Sequence, residues 1–103
     1  MTIERSGIRI GRLEIEPDAY RASVSGRTLP LSPSQFELLA FLVDHRDRVV
    51  TRDELARATH LEHGRSVDVV LSSLRRILGC DFVRNVRNRG WILEAAALDG
   101  ELQ

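Results

Sequence analysis

The chain has 103 residues, of which 43% are apolar, and this size and composition predict one domain over residues 1–103 with one buried core. Fifteen basic residues, all of them arginine, balance fifteen acidic ones, and no apolar run is long enough to cross a bilayer. Cys80 is the single cysteine and the first residues lack the pattern of a secretion signal, so an internal disulfide is excluded and we expect a cytoplasmic protein.

The first third of the chain predicts short antiparallel strands that follow an N-terminal extension, residues 1–7. Apolar side chains recur at alternate positions, at Ile8, Ile10, Leu13, Ile15, Tyr20, Ala22 and Val24. Glycine-containing turns at 11–12 and 25–26 separate these runs, and Pro30 indicates an edge position or a strand end. We therefore predict a small sheet over residues 8–31 with one apolar face that packs on the rest of the protein.

Three helices are predicted over residues 32–79. Residues 32–35 (Ser-Pro-Ser-Gln) form a capping box with proline at the first helical position, and the helix that they open extends to about His45. Residues 51–54 (Thr-Arg-Asp-Glu) form a second capping box and open a short helix. The third helix follows at residues 66–78.

This third helix has two different faces. Its inward stripe consists of Val67, Leu71, Leu74 and Leu78, which recur at steps of three and four residues. The outward face is predicted to carry small, polar or basic side chains, namely Ser66, Val69, Val70, Ser73, Arg76 and Ile77. Because most of these side chains are small, this face of the helix is narrow enough to fit a groove of DNA.

An arginine-bearing β-hairpin is predicted over residues 82–93, directly after the third helix. Residues 65–91 carry six arginines against two acidic residues, a local net charge of +4 in a chain of net charge zero. Trp91 is predicted to anchor the hairpin to the core, and Asp68 to pair with a nearby arginine. A narrow helix beside a cationic hairpin is the working arrangement of a winged helix. The tail, residues 94–103, has little to anchor it and is expected to be loosely ordered.

Several motifs, in this order, resemble the OmpR/PhoB-type winged-helix DNA-binding domain of bacterial response regulators. They are residues 31–39 (LSPSQFELL), 49–55 (VVTRDEL), 65–69 (RSVDV), 74–79 (LRRILG) and 86–91 (VRNRGW). The resemblance covers residues 8–93 and implies an α+β winged helix-turn-helix with an N-terminal antiparallel β-sheet, a three-helix core and a C-terminal β-hairpin wing. No segment resembles the receiver domain, so we expect either no control by aspartyl phosphorylation or an excised effector domain.

The resemblance implies that helix 66–78 enters the major groove of double-stranded DNA and that wing 82–93 reaches the adjacent minor groove. Phosphate contacts are implied for Arg65, Ser66, Arg75 and Arg76. Base-edge contacts are implied for Val70 and Ser73, and a minor-groove contact for Arg87. Arg89, at the same hairpin tip, is a further candidate for DNA contact, against the alternative of a solvated tip.

Two departures from the family pattern keep a second function open. Positions 70, 72 and 73 are small (Val, Ser, Ser) where relatives often carry arginine or histidine, which predicts modest discrimination between bases. The connection 61–64 is shorter than usual, and in relatives this loop can engage RNA polymerase. One hypothesis is a bacterial transcriptional regulator that binds double-stranded DNA, as a homodimer or in tandem. The alternative is a winged-helix adaptor or antagonist that binds a transcription factor or RNA polymerase instead.

No enzyme activity, cofactor, metal ion or membrane partner is predicted. The sequence has no lysine, no glycine-rich phosphate loop and no obvious partner for its one cysteine. His60 and His63 flank Glu62, but two histidines without further clustered ligands are a weak signal for a metal site.

Overall fold

The structure, a computed structural model, describes residues 7–59, 66–78 and 82–96. In chain order its elements are β1 (Ile8–Ile10), β2 (Leu13–Glu16), β3 (Arg21–Val24), β4 (Arg27–Thr28), α1 (Pro33–Asp44), α2 (Arg52–Ala58), α3 (Val67–Leu78), β5 (Val83–Val86) and β6 (Gly90–Leu93). This order confirms the predicted fold class, with an N-terminal sheet, three helices and a C-terminal hairpin. None of the helices within the described residues is long and apolar enough to cross a membrane.

Some sequence predictions fall outside the described residues. These are the extension up to residue 6, His60 and His63, the connection 61–64, Arg65, Gly79, Cys80 and the tail from residue 97 onward.

The N-terminal sheet is fully antiparallel, in the order β1-β2-β3-β4. Its register pairs Ile8 with Ile15 and Ile15 with Ala22, so the alternating apolar side chains share one face. The strand that was predicted to include Tyr20 begins one residue later, because a 3-10 turn at Pro17–Ala19 leaves Tyr20 in the left-handed region at φ 49°. Strand β4 lies at the edge of the sheet and ends before Pro30, as the proline indicates, because proline has no N–H to donate to a ladder.

Both predicted capping boxes are present. The Ser32 hydroxyl accepts from the Gln35 amide at 3.2 Å, and the Gln35 side chain accepts in return from the Ser32 amide at 2.9 Å. Thr51 and Glu54 repeat the arrangement at 3.1 and 2.9 Å at the start of α2. These local bonds satisfy amides that would otherwise lack partners, which is why the two helices begin where the sequence predicts.

Helix α1 lies at the centre of the core. Its buried side chains are Phe36, Leu38, Leu39, Leu42 and Val43. They join one hydrophobic cluster with buried side chains of the sheet, of α2 and α3, and of the hairpin. The helix is therefore covered on several sides, as its apolar residues on several faces predict.

The hairpin is joined to the helical core by backbone pairing as well as by side chains. Val50 donates to the Trp91 carbonyl at 2.8 Å and Trp91 donates to the Val50 carbonyl at 2.9 Å. The approach is close at Gly90, which has φ 151°, because a methyl group there would overlap the carbonyl of Val50. Only glycine fits between the hairpin and the segment that precedes α2.

The start of the tail is anchored, contrary to the expectation for residues 94–103. The Glu94 amide donates to the Phe82 carbonyl at 2.8 Å, and the Ala95 amide donates to an Asp47 side-chain oxygen at 3.1 Å. The expectation of a loosely held tail is wrong for Glu94 and Ala95, because their partners are distant in sequence and gave no local signal.

Gly90→Ala is expected to destabilise the protein by about 2–4 kcal/mol, because the new methyl group forces Val50 and the hairpin apart. Gly26→Ala is the matched control. Its φ is also positive, at 83°, but its methyl group would meet open space, so we expect a cost of about 1 kcal/mol. Urea unfolding of the two variants measures the difference. Equal costs would contradict the assigned steric contact at Gly90.

Candidate nucleic-acid interface

Helix α3 shows the predicted division into an inward and an outward face. Val67, Leu71, Leu74 and Leu78 are all buried, which confirms the predicted stripe. Of the residues predicted to face outward, Ser66, Val69 and Arg76 are exposed, whereas Ser73 and Ile77 are half-buried. Ser72 and Arg75 are exposed as well. The outward face is thus open to solvent among the described residues, and no part of the described tail covers it.

The predicted position of Val70 on the outward face is wrong. Its side chain is only 1% exposed and belongs to the hydrophobic core. The physical reason is helical periodicity, because residue 70 lies three positions after Val67 and four before Leu74 and therefore shares their stripe. The outward apolar side chain is Val69, which is 60% exposed.

Ser66 acts first as a helix cap. Its hydroxyl accepts from the amide of Val69 at 3.1 Å and so satisfies one of the free donors at the start of α3. The side chain is exposed, so the start of α3 is accessible from solvent.

Ser73, half-buried on the same helix, is held by α1. Its hydroxyl accepts from the side-chain amide of Gln35 at 2.9 Å and donates to the Val70 carbonyl at 2.8 Å. Gln35 also caps α1, so a single side chain links the start of that helix to α3. Since the one hydroxyl proton of Ser73 is already used, its remaining capacity for a base edge is as an acceptor.

Four exposed arginines lie on α3 and in the hairpin turn. Arg75 and Arg76 lie in the last turns of α3, and Arg87 and Arg89 lie on either side of Asn88 in the hairpin turn. Asn88 adopts the left-handed conformation, at φ 62°, which closes the three-residue turn. Within the described residues none of these four guanidinium groups forms an ion pair, so their charges are available to an anion.

Other arginines near the interface are neutralised within the protein. Arg84 on the hairpin pairs with Glu94 at 2.7 Å, and this contact lowers the pKa of the Glu94 carboxyl. Arg52 at the start of α2 pairs with Asp68 on α3 at 2.9 Å. The pairing confirms the predicted role of Asp68 as the partner of an arginine.

Trp91 is buried, at 3% exposure, and anchors the hairpin as predicted. Its indole N–H donates to Asp68 at 3.0 Å, and the guanidinium carbon of Arg75 lies 5.8 Å from its ring centre. The bond from Trp91 is the main cause that lowers the pKa of Asp68, with Arg52 as a further cause and partial burial as an opposing one. Asp68 therefore stays ionised near neutral pH.

Sequence reasoning missed two residues of this region, Gln35 and Arg52. Each contacts α3 from another helix, at a separation of 38 or 16 residues, and no local pattern indicates such a pair. Within the described ranges no three histidine, cysteine, aspartate or glutamate side chains are grouped so that they could hold a metal ion. The described part of the site therefore offers exposed cations on α3 and in the hairpin turn rather than a group of metal ligands.

Comparison with known proteins decides the family. Residues 26–93 match the family model described as "Transcriptional regulatory protein, C terminal". The chain belongs to this family, in its OmpR/PhoB-type winged-helix form. The match covers the three helices and the hairpin, which includes the whole candidate interface.

Individual relatives agree with this assignment. The chain is 38% identical over 96 residues to the alkaline phosphatase synthesis transcriptional regulatory protein PhoP of Bacillus subtilis, with 84% of this chain and 40% of that protein covered. The crystal structure of the DNA-binding domain of CpxR from Escherichia coli superimposes with a TM-score of 0.75 at 30% identity, covering 88% of this chain and 98% of that one.

A third relative was crystallised with DNA. The Klebsiella pneumoniae RstA DNA-binding domain, in complex with the RstA box, has a TM-score of 0.75 at 30% identity, with 86% of this chain and 97% of that one covered. The chain spans about two fifths of the length of the curated relatives that it matches.

The contacts of Asp68 predict a pH-dependent contribution to stability. Because its pKa is lowered in the folded state, the contribution is complete above the unfolded pKa of about 3.9 and is lost as the pH falls through the folded value. We expect the wild type to exceed Asp68→Asn by about 1 kcal/mol in free energy of unfolding at about pH 7. The difference should shrink on acidification below about pH 4.

Urea unfolding of both proteins at several pH values measures this difference directly. Comparing the two proteins at each pH removes the contributions of Glu54 and Glu94, whose pKa values are also lowered. A difference that stays constant down to about pH 2.5 would contradict the assigned role of the ionised Asp68.

Proposed function

We propose that this domain binds double-stranded DNA and regulates transcription in a bacterium, with α3 in the major groove and the hairpin tip in the adjacent minor groove. The observation that carries the proposal is that four exposed arginines, in the last turns of α3 and in the hairpin turn, form no ion pair with any of the residues that the structure describes. The relatives named above are transcriptional regulators or DNA-binding domains, which favours DNA over a protein partner.

The proposed contacts differ in kind. Arg75, Arg76 and Ser66 lie at the two ends of α3 and are proposed to contact phosphates, together with Arg65 before the helix. Arg87 and Arg89 at the hairpin tip are proposed to enter the minor groove, where A·T-rich sequences attract arginine. These contacts supply affinity and orientation on the duplex.

Base reading is proposed to be modest. Val69 replaces Val70 as the outward apolar side chain that would meet a thymine methyl group, because Val70 is buried. The Ser73 hydroxyl on the same helix can only accept a hydrogen bond from a base, because its proton is already donated to the Val70 carbonyl. With so few base contacts, we propose that two copies bind adjacent half-sites, in tandem or as a dimer.

Further parts of the proposal follow from the same function. The chain is proposed to act as one domain, supported by the hydrophobic cluster that joins sheet, helices and hairpin. A role in DNA binding in the bacterial cytoplasm requires neither a cofactor nor enzymatic activity, and we propose that the domain has neither.

Two arginine variants test the proposed division of contacts. Arg76→Ala should weaken binding to A-tract and GC-rich duplexes about equally, because phosphates are common to all sequences. Arg87→Ala should weaken binding to the A-tract duplex most, by about tenfold. Fluorescence anisotropy with the two duplexes, each of about 30 base pairs, measures both effects at several salt concentrations.

Salt dependence provides the control for the electrostatic mechanism. If arginines neutralise phosphates, log affinity should fall as log salt rises, and for each bound domain the slope should be smaller in magnitude by about one in Arg76→Ala than in the wild type. Affinity that is independent of salt, or equal sequence dependence of the two variants, would contradict the proposed contacts.

A further inference from the structure

We propose that Asp68 is a positioning residue that fixes the orientation of the hairpin tip relative to α3, so that the two DNA contacts are held at one spacing along the duplex. The inference rests on the proposed DNA-binding function. It assigns a role to an acidic side chain on a surface whose unpaired arginines are proposed to contact DNA.

Three elements meet at this one carboxylate. One oxygen of Asp68, on α3, accepts the indole N–H of Trp91 on β6 at 3.0 Å. The other oxygen accepts from the guanidinium of Arg52 on α2 at 2.9 Å. Hydrogen bonds to an ionised group are the stronger ones in proteins, so the carboxylate is a firm link between hairpin and helices.

Trp91 is placed to transmit this link to the hairpin tip. It lies two residues after Arg89, and its backbone pairs with Val50 through two hydrogen bonds. The backbone bonds fix one edge of β6, and the bond to Asp68 fixes the indole ring on the side of α3. Without Asp68 the hairpin keeps its attachment to Val50 but loses the restraint on its tilt toward α3.

The charge of Asp68 makes a distinctive prediction for binding. A carboxylate on a surface that approaches phosphates reduces the general attraction to DNA, and its removal also frees Arg52. Asp68→Ala should therefore bind non-specific duplex at low salt at least as tightly as the wild type. The same variant should lose its preference for one spacing between the contacts of α3 and those of the hairpin tip. A purely structural defect would instead weaken both the non-specific affinity and the spacing preference.

The experiment uses duplexes of about 30 base pairs built on a site that the wild type selects from random sequence. A short A-tract is moved one base pair at a time relative to the part of the site read by α3, and anisotropy gives the affinity at each spacing. The wild type should prefer one spacing. Asp68→Ala should reduce this preference about fivefold to tenfold, as expected for the loss of one charge-assisted hydrogen bond.

Glu94→Gln is the matched control. It also removes one negative charge and breaks an ion pair of similar length, with Arg84 on the hairpin, and that ion pair involves neither Trp91 nor α3. It should keep the spacing preference of the wild type. Trp91→Phe, which keeps an apolar ring but removes the indole donor, should lose the preference as Asp68→Ala does, and the double variant should lose no more.

A second measurement does not depend on DNA. Nitrogen-15 relaxation of the amides at 87–89 should show lower order parameters in Asp68→Ala and Trp91→Phe than in the wild type and Glu94→Gln. This inference alone would be overturned if the wild type binds duplex DNA without preferring one spacing, or if Asp68→Ala keeps the preference of the wild type. A wild type that binds no duplex would overturn the proposed function, and the inference with it.

Discussion

Trp91 connects the parts of this fold that matter for its function. Its backbone exchanges two hydrogen bonds with Val50, its ring is buried, and its indole nitrogen bonds to Asp68 on α3. The backbone contact needs Gly90 beside it, because any side chain there would overlap Val50. Two consecutive residues, Gly90 and Trp91, therefore hold the hairpin against the helices. The glycine allows the close backbone approach, and the tryptophan supplies the hydrogen bonds and the buried ring. A hairpin of two short strands is only marginally stable alone, so this attachment is what gives the cationic tip a defined place.

The charge distribution explains how a chain of net charge zero forms a surface for an anion. Arginines near the interface fall into two groups. Arg52 and Arg84 are paired with carboxylates of the protein, while the four arginines at the end of α3 and in the hairpin turn are not, among the residues described. The charge that is available near the interface therefore lies at the end of α3 and in the hairpin turn, the two parts proposed to meet DNA. Total charge is thus a poor guide to binding here, and local field is a better one.

Much of the architecture follows from local sequence patterns. The alternation of apolar residues predicts the strands, and the capping boxes that begin at Ser32 and Thr51 predict the starts of α1 and α2. A sequence shows these signals directly because each depends on neighbours within four residues. The error at Val70 arose because the inward stripe of α3 was drawn too narrow, with one residue per turn, which left Val70 on the outward face although its period matches the stripe. The stripe of buried residues on α3 would have placed it correctly.

The contacts that were missed are those between elements. Ser73 was expected to be free for bases, but Gln35 holds it from α1, 38 residues earlier. Ala95 was expected to be loose, but the side chain of Asp47, 48 residues away, binds its amide. Such pairs depend on how helices and loops come together in three dimensions. A single sequence shows which side chains have the chemistry to make them, but it does not show which ones meet.

The central claim is that the outward face of α3 and the hairpin tip form one DNA-binding surface. An NMR titration of the nitrogen-15-labelled domain with its selected duplex tests this most directly. The account predicts that the largest amide shift changes, at a single stoichiometry, fall on the exposed positions of α3 and on residues 87–89. Changes confined to the N-terminal sheet, or to α3 without the hairpin turn, would contradict it.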